Sequence, residues 1–217
     1  EFPGWDCLPY DRVSPQAEIS AARMATLAAL AAGLNGPFIL LTTLNAATQY
    51  VPPRDLLASS AFVATVGGRI DEKTLRVFLV RMGYVQAPTV TEPGDYAVRG
   101  GIIDVWPPGE DAPVRLDLFG DMLDGARRFD VGTQRTTEKL ERVELAPVSE
   151  VILDDAAIAR FRQNYRVEFG AGGSEDPLYE AVTAGRKAQG MEHWFPFYHE
   201  RLETLFDYLP GATITLD

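Results

Sequence analysis

The sequence predicts an α/β fold, because helical and strand periodicities follow one another along a single chain. Three observations carry that expectation. In Pro113–Phe119 the residues Val114, Leu116 and Leu118 alternate with Arg115, Asp117 and Phe119, the period-two mark of a strand with one buried face. Leu75, Phe78, Leu79 and Met82 recur at i, i+3, i+4 and i+7, as on one side of a helix. Phe38–Leu41 is a short apolar run before a helical stretch, as a buried parallel strand would be.

Taken in order, Ser14 and Pro15 read as an N-cap and first-turn proline, and Gly33 as the stop, of a helix with Ile19, Arg23, Leu27 and Leu30 on one broad face. Asn45–Tyr50 suggests a short helix, Pro52-Pro53 a break and Arg54–Ser59 a connector. The character turns toward strand around Ala58–Ala64, with Phe62–Val66 as the first strand of a second unit. Asp71 caps the helix that carries Leu75 and Leu79, and Gly83 follows its last turn. Tyr96–Arg99 and Ile102–Trp106 are strand-like, with Gly100-Gly101 between them suited to a bulge or a close backbone approach. Gly120-Asp121 makes a two-residue hairpin turn into Met122–Asp130, and Leu140–Leu145 alternates again. One helix then covers one face of this sheet and leaves the other available. Beyond Pro147 the pattern is helical. Asp155 is placed as the cap of a helix with Ile158, Phe161 and Tyr165, Ala171–Ser174 as a loop, and Asp176-Pro177 as the start of a further helix. Trp194, Phe195, Phe197 and Tyr198 form an aromatic run that reads as core more readily than as a base-stacking box. Glu200–Tyr208 reads as helix and Ala212–Leu216 as a strand.

The outward face of Pro113–Phe119 sets a large aromatic beside a guanidinium and a carboxylate, a composition that does not suit a core. Arg and aromatic residues are enriched among interface hot spots, so Arg99, Arg115 and Phe119 are candidates for a partner-docking patch. The competing reading folds Phe119 over a sheet edge and leaves the arginines in solvent.

The formal net charge of −11, from 20 Lys plus Arg against 31 Asp plus Glu, disfavours phosphate-backbone binding and favours a basic partner or plain solubility. Within Asp95–Asp130 four arginines face eight carboxylates, so those arginines are expected to meet acidic protein side chains. One cysteine, Cys7, excludes an internal disulfide and fits a reducing cytoplasm; with only His193 and His199 besides, it has no zinc-ligand spacing. No apolar run of bilayer length is present, so no membrane association is expected.

The strings EPGDYAVRGGIIDVWPPG, PVRLDLFGD and FDVGTQRT, with GWDCLPYDRVSP and GMEHWFPFY near the two ends, resemble the amino-terminal region of the bacterial transcription-repair coupling factors (Mfd), itself similar to the excision-repair protein UvrB. The resemblance implies a degenerate P-loop-NTPase-like, UvrB-like domain, truncated at its start, in residues 1–60 and continued in 149–217. It implies that a small α/β domain in residues 61–148, which binds UvrA, interrupts it. Onto that family's UvrA-contacting motif fall Arg99, Arg115 and Phe119, the three suspected from spacing. The first residue is not methionine, and the resemblance places this sequence inside a longer protein, so it is read as a fragment.

A phosphate-binding loop needs G-x-x-x-x-G-K-[ST], and the sequence has none; G-x-S-x-G, H-E-x-x-H and G-x-G-x-x-G are absent as well. Carboxylate pairs such as Glu110/Asp111 and Asp154/Asp155 read as solvated or capping groups. The expectation is a non-catalytic, cytoplasmic adaptor of transcription-coupled repair with no cofactor or metal of its own. ATP and Mg, RNA polymerase and DNA are expected to be engaged by other parts of the longer protein. The alternatives are a fragment of a UvrB-like ATP-dependent helicase subunit and a purely structural role in which the patch is masked.

Overall fold

The structure, a computed structural model, describes residues 1–34, 36–170, 173 and 175–215. Helix α1 (Ala17–Ala32) buries Ala21, Arg23, Met24, Leu27 and Leu30 along one side. Arg23 is fully enclosed on that side. Its Nε and Nη2 donate to the two carboxylate oxygens of Glu150 at 2.6 and 3.0 Å, and its Nη1 donates to the Pro3 carbonyl and the Gln49 side chain. Trp5 donates to the same carboxylate at 2.9 Å, and the Phe2 ring lies 4.2 Å from the guanidinium carbon. A buried ion pair holds only when its remaining donors and acceptors are satisfied, and these neighbours do that. Ser14 does not cap α1, which begins after Gln16. Its hydroxyl instead donates to Glu192 at 2.6 Å and accepts from the Gly190 N–H, a long-range use that sequence spacing does not show.

Helices α2 (Leu44–Thr48) and α3 (Arg54–Ser59) follow, the latter where the sequence suggests only a connector. Phe38–Leu41 is not a strand. Ile39 is 88% exposed, and the nearest sheet contact is a single parallel bridge between Phe2 and Thr42. A buried parallel strand needs neighbours along its length, and here the contact is confined to the end of the run, where the Phe2 N–H donates to the Leu41 carbonyl at 2.9 Å.

β1 (Phe62–Thr65) leads to α4 (Glu72–Arg81), which Asp71 caps by accepting from the Thr74 N–H at 2.9 Å. The strands β2 (Val85–Gln86), β3 (Asp95–Arg99), β4 (Ile102–Val105), β5 (Val114–Phe119), β6 (Met122–Phe129) and β7 (Thr136–Leu140) form one sheet in sequence order. The β2–β3 pair is parallel and the others are antiparallel. The alternating stretch 140–145 divides: Leu140 ends β7, and β8 (Arg142–Leu145) pairs antiparallel with β1 in a separate two-stranded ribbon. Leu75 and Leu79 of α4 pack on Ile103, Val105, Val114, Leu116, Leu123 and Ala126, with Ala64, Val143 and Leu145 of the ribbon closing the same core. Each of the Leu, Ile and Val side chains contributes about 1.5–3 kcal/mol on burial.

Gly100-Gly101 is a hairpin turn, not a bulge, since Arg99 and Ile102 pair directly across it. Gly100 has φ 61°, and a Cβ on Gly101 would stand 2.6 Å from the Leu118 carbonyl oxygen, so this second glycine lets two strands meet closely. The bulges lie instead between β5 and β6 at Asp117/Leu118 and between β6 and β7 at Arg128/Phe129.

Helix α5 (Asp155–Phe169) is capped by Asp154, not Asp155; the Asp154 carboxylate accepts from the Ala157 N–H at 2.7 Å. Asp176 caps α6 (Pro177–Thr183). A 3-10 segment, Met191–Phe197, completes an aromatic core in which Phe161 stacks on Tyr198 at 4.8 Å with Tyr165, Tyr179 and Phe195 around them. Helix in Glu200–Tyr208 is limited to α7 (Leu205–Tyr208), and residues 212–215 form no strand; Leu216 lies outside the described residues, as do Ala171, Gly172 and Ser174 of the expected loop.

Two outcomes follow. Replacing Arg23 by Met should lower unfolding free energy by about 3–5 kcal/mol, because Glu150 is left charged and enclosed; denaturant titration showing less than about 1 kcal/mol would refute this role. Burial also lowers the pKa of His199 from 6.5 to about 4, with Arg160 adding to the effect and the Glu150 backbone, Asp154 and Glu150 opposing it. The fold therefore holds the imidazole neutral, and its contribution is complete above about 6.5 and lost as pH falls toward about 4. The loss should be on the order of 3 kcal/mol. The lowered carboxylates Asp71, Asp130 and Asp207 start to lose their own contribution only at the acid end of that window, as pH nears 3.8, so the comparison with the His199 variant isolates the imidazole. Thermal melts from pH 7 to 4 should show this slope in the native chain and a flatter one in His199→Gln.

Candidate functional site

The six-stranded sheet has one face under α4 and one face turned outward. Strand alternation sends Ala97, Arg99, Asp104, Arg115, Asp117, Arg127 and Phe129 to the outward face, and register places Asp104 between Ala97 and Arg115. At one end Val90, Ala97 and Phe129 form a small buried cluster with Trp106 against it. The Arg115 guanidinium lies over the Phe129 ring at 4.7 Å, so its flat face rests on an apolar support.

Asp104, 1% exposed, receives two arginines. Arg115 donates to it from Nε at 2.7 Å and from Nη2 at 2.9 Å, and Arg99 donates to the same carboxylate through Nη2. The hydrogen bonds that Arg115 donates to Asp104 push the Arg115 pKa further up, against the opposing effect of burial. Arg115 is mostly covered, with 18% of its side chain exposed, whereas Arg99 keeps 48%. The result is a fixed fork with unspent N–H donors at the surface.

Phe119 is 81% exposed at the end of β5, opposite Met122 across the Gly120-Asp121 turn. Gly120 takes φ 62° at the first turn position, as a two-residue turn of this kind requires. The turn is held from behind: the Ile70 N–H donates to Asp121 O, the Gly67 N–H to Leu123 O and the Leu123 N–H to Gly68 O, all within 3.0 Å. Phe119 is thus an exposed ring on a braced hairpin and does not fold back over the sheet edge.

Arg99 and Arg115 are brought to one carboxylate, and Phe119 stands at the sheet margin on the same face, four residues along β5 from Arg115. Sequence spacing missed Asp104, although its alternation with Ile103 and Val105 marks it as outward-facing. It also missed Arg127, which pairs with Asp117 at 2.6 Å. The Cys7 thiol is raised by burial and by Asp6, and its sulfur lies 3.9 Å from His193 Nε2, which is 2.9 Å from the Val13 carbonyl. Glu110 receives Arg128, and Asp154 caps α5. Among the described residues no His, Cys, Asp or Glu cluster has the arrangement of a metal site, and no helix is long and apolar enough to cross a membrane.

Residues 63–151, which include the whole outward face, match the family described as UvrB interaction domain, and this part of the chain belongs to it. Over its whole length the chain is homologous to the transcription-repair-coupling factors. It is 37% identical to that of Haemophilus influenzae across 218 residues, covering 100% of this chain and 19% of the relative. For Escherichia coli the identity is 37%, covering 98% and 18%, and for Myxococcus xanthus 35%, covering 96% and 18%. The chain spans about a fifth of the length of these relatives.

Because Phe119 buries almost nothing within the chain, Phe119→Ala should change the unfolding free energy by less than about 0.5 kcal/mol. A drop of 2 kcal/mol in chemical denaturation would assign the ring to the core instead.

Proposed function

We propose that this chain is a non-catalytic adaptor module of transcription-coupled nucleotide excision repair, and that it recruits UvrA through Arg99, Arg115 and Phe119. One observation carries the reading: within a UvrB interaction domain, two guanidiniums are locked on one buried carboxylate, on the same sheet face as a braced and 81% exposed phenylalanine. In this role Arg99 and Arg115 give charge-assisted hydrogen bonds to acidic side chains, and Phe119 enters an apolar pocket of the partner. Fixing such groups before binding reduces the entropy lost on association.

In this reading residues 61–148 are the docking unit, inserted between two parts, 1–60 and 149–217, of a degenerate NTPase-like domain. In support, one hydrophobic cluster draws its residues from Ala64 to Val148, while a second joins Phe2, Met24, Leu27 and Leu57 to Ile152, Leu205 and Tyr208. ATP and Mg, RNA polymerase and DNA would be handled by segments of the longer, cytoplasmic protein outside this sequence. The rival, a UvrB-like helicase subunit, has no specific observation in its favour, since the phosphate-binding string does not occur here.

Calorimetric titration with purified UvrA tests the proposal. The native chain should bind, and Arg115→Ala and Phe119→Ala should each weaken binding by about 2 kcal/mol or more, roughly thirtyfold, with thermal transitions retained. No heat of binding from the folded native chain would overturn it.

A further inference from the structure

Register on the outward face places Asp104, Arg115, Arg127 and Lys139 side by side on four consecutive strands, β4 to β7. Adjacent strands are about 4.8 Å apart, so three cations occupy a row about 10 Å long. Like charges directly opposite one another oppose sheet pairing. A second row on the same face carries Arg99, Ile102, Asp117 and Gly125. Asp104 receives Arg99 and Arg115, Asp117 receives Arg127, and Lys139 is exposed with no ion pair among the described residues. Across the two rows four cations meet two carboxylates, on a chain of net charge −11. Gly125 leaves space at that point: a Cβ there would sit 3.5 Å from both Arg127 Nη2 and Asp117 Oδ2. Arg127 still exposes 39% of its side chain.

We infer that this cationic row extends the docking surface, that Arg127 and Lys139 contact a carboxylate-bearing strip of the partner protein, and that Asp104 and Asp117 are positioning residues for the arginines. The inference rests on the adaptor reading and specifies the chemistry of the partner surface. A guanidinium already fixed by one carboxylate presents its remaining N–H groups in a set direction, which suits a second carboxylate. A nucleic-acid partner fits less well, because the acidic chain as a whole repels phosphate and Asp104 and Asp117 already receive the three arginines.

The test is titration with UvrA at two salt concentrations, with a duplex DNA oligomer as the second probe. Arg127→Ala should weaken UvrA binding about tenfold and Lys139→Ala about threefold, the latter mainly at low salt. Arg127→Lys, which keeps the charge on Asp117 but lacks the fork, should fall between native and Arg127→Ala and guards against a folding defect. Asp117→Asn should weaken binding in the native background and add nothing in the Arg127→Ala background, a non-additivity that a general loss of stability would not produce. If Arg127→Ala and Lys139→Ala bind UvrA as the native chain does while Arg115→Ala loses binding, the row is refuted and the adaptor reading stands. If Asp117→Asn weakens binding equally in both backgrounds, its positioning role is refuted. Arg127-dependent binding of the DNA oligomer would overturn the protein partner, and a native chain that binds no UvrA would overturn both readings.

Discussion

The enclosed contact between Arg23 and Glu150 joins parts of the chain that are 127 residues apart, and the remaining architecture depends on it. Glu150 lies just where the chain returns from the sheet unit, and Arg23 lies in the middle of α1, already in contact with Pro3, Trp5 and Gln49 through the same polar knot. Beside it the return is held by backbone bonds, with the Val148 N–H donating to Met82 O and the Leu153 N–H to Arg81 O. The β1–β8 ribbon keeps exit and return side by side. Removing one charge of the knot would leave the other without water or counter-ion, which is why a single pair can govern how the two parts sit together.

The two faces of the sheet are built on different physics. The face under α4 is a contiguous apolar surface, and its stability follows area removed from water. The outward face is held by charge. An aspartate with 1% exposure is tolerable there only because two guanidiniums complete its hydrogen bonds, and the guanidiniums in turn are oriented by it. A surface fixed in this way keeps its shape without a partner, and leaves an exposed ring at its margin as the place where apolar area remains to be buried.

The local devices were legible. Asp71 and Asp176 cap their helices, Gly120-Asp121 turns a hairpin, and the period-two pattern of Val114–Phe119 assigns each side chain to the correct face. Misreadings arose where a residue serves something distant. Ser14 has the chemistry of a cap but spends its hydroxyl on Glu192 and Gly190. Gly100-Gly101 permits either a bulge or a turn, and only the pairing of Arg99 with Ile102 decides. Phe38–Leu41 has strand composition, yet composition does not supply neighbouring strands.

Side-chain alternation, turn chemistry and capping act within a few residues, so the chain order alone determined the α/β class, most helices and strands, and the outward direction of Arg115 and Phe119. The convergence of Arg99 and Arg115 on Asp104, the bracing of Phe119 by residues 67–70, and the row that reaches Lys139 were decided by register between strands. The burial of Arg23 was decided by the packing of α1. These contacts join residues distant in the chain, and their geometry exists only once the sheet has closed and the helices have packed.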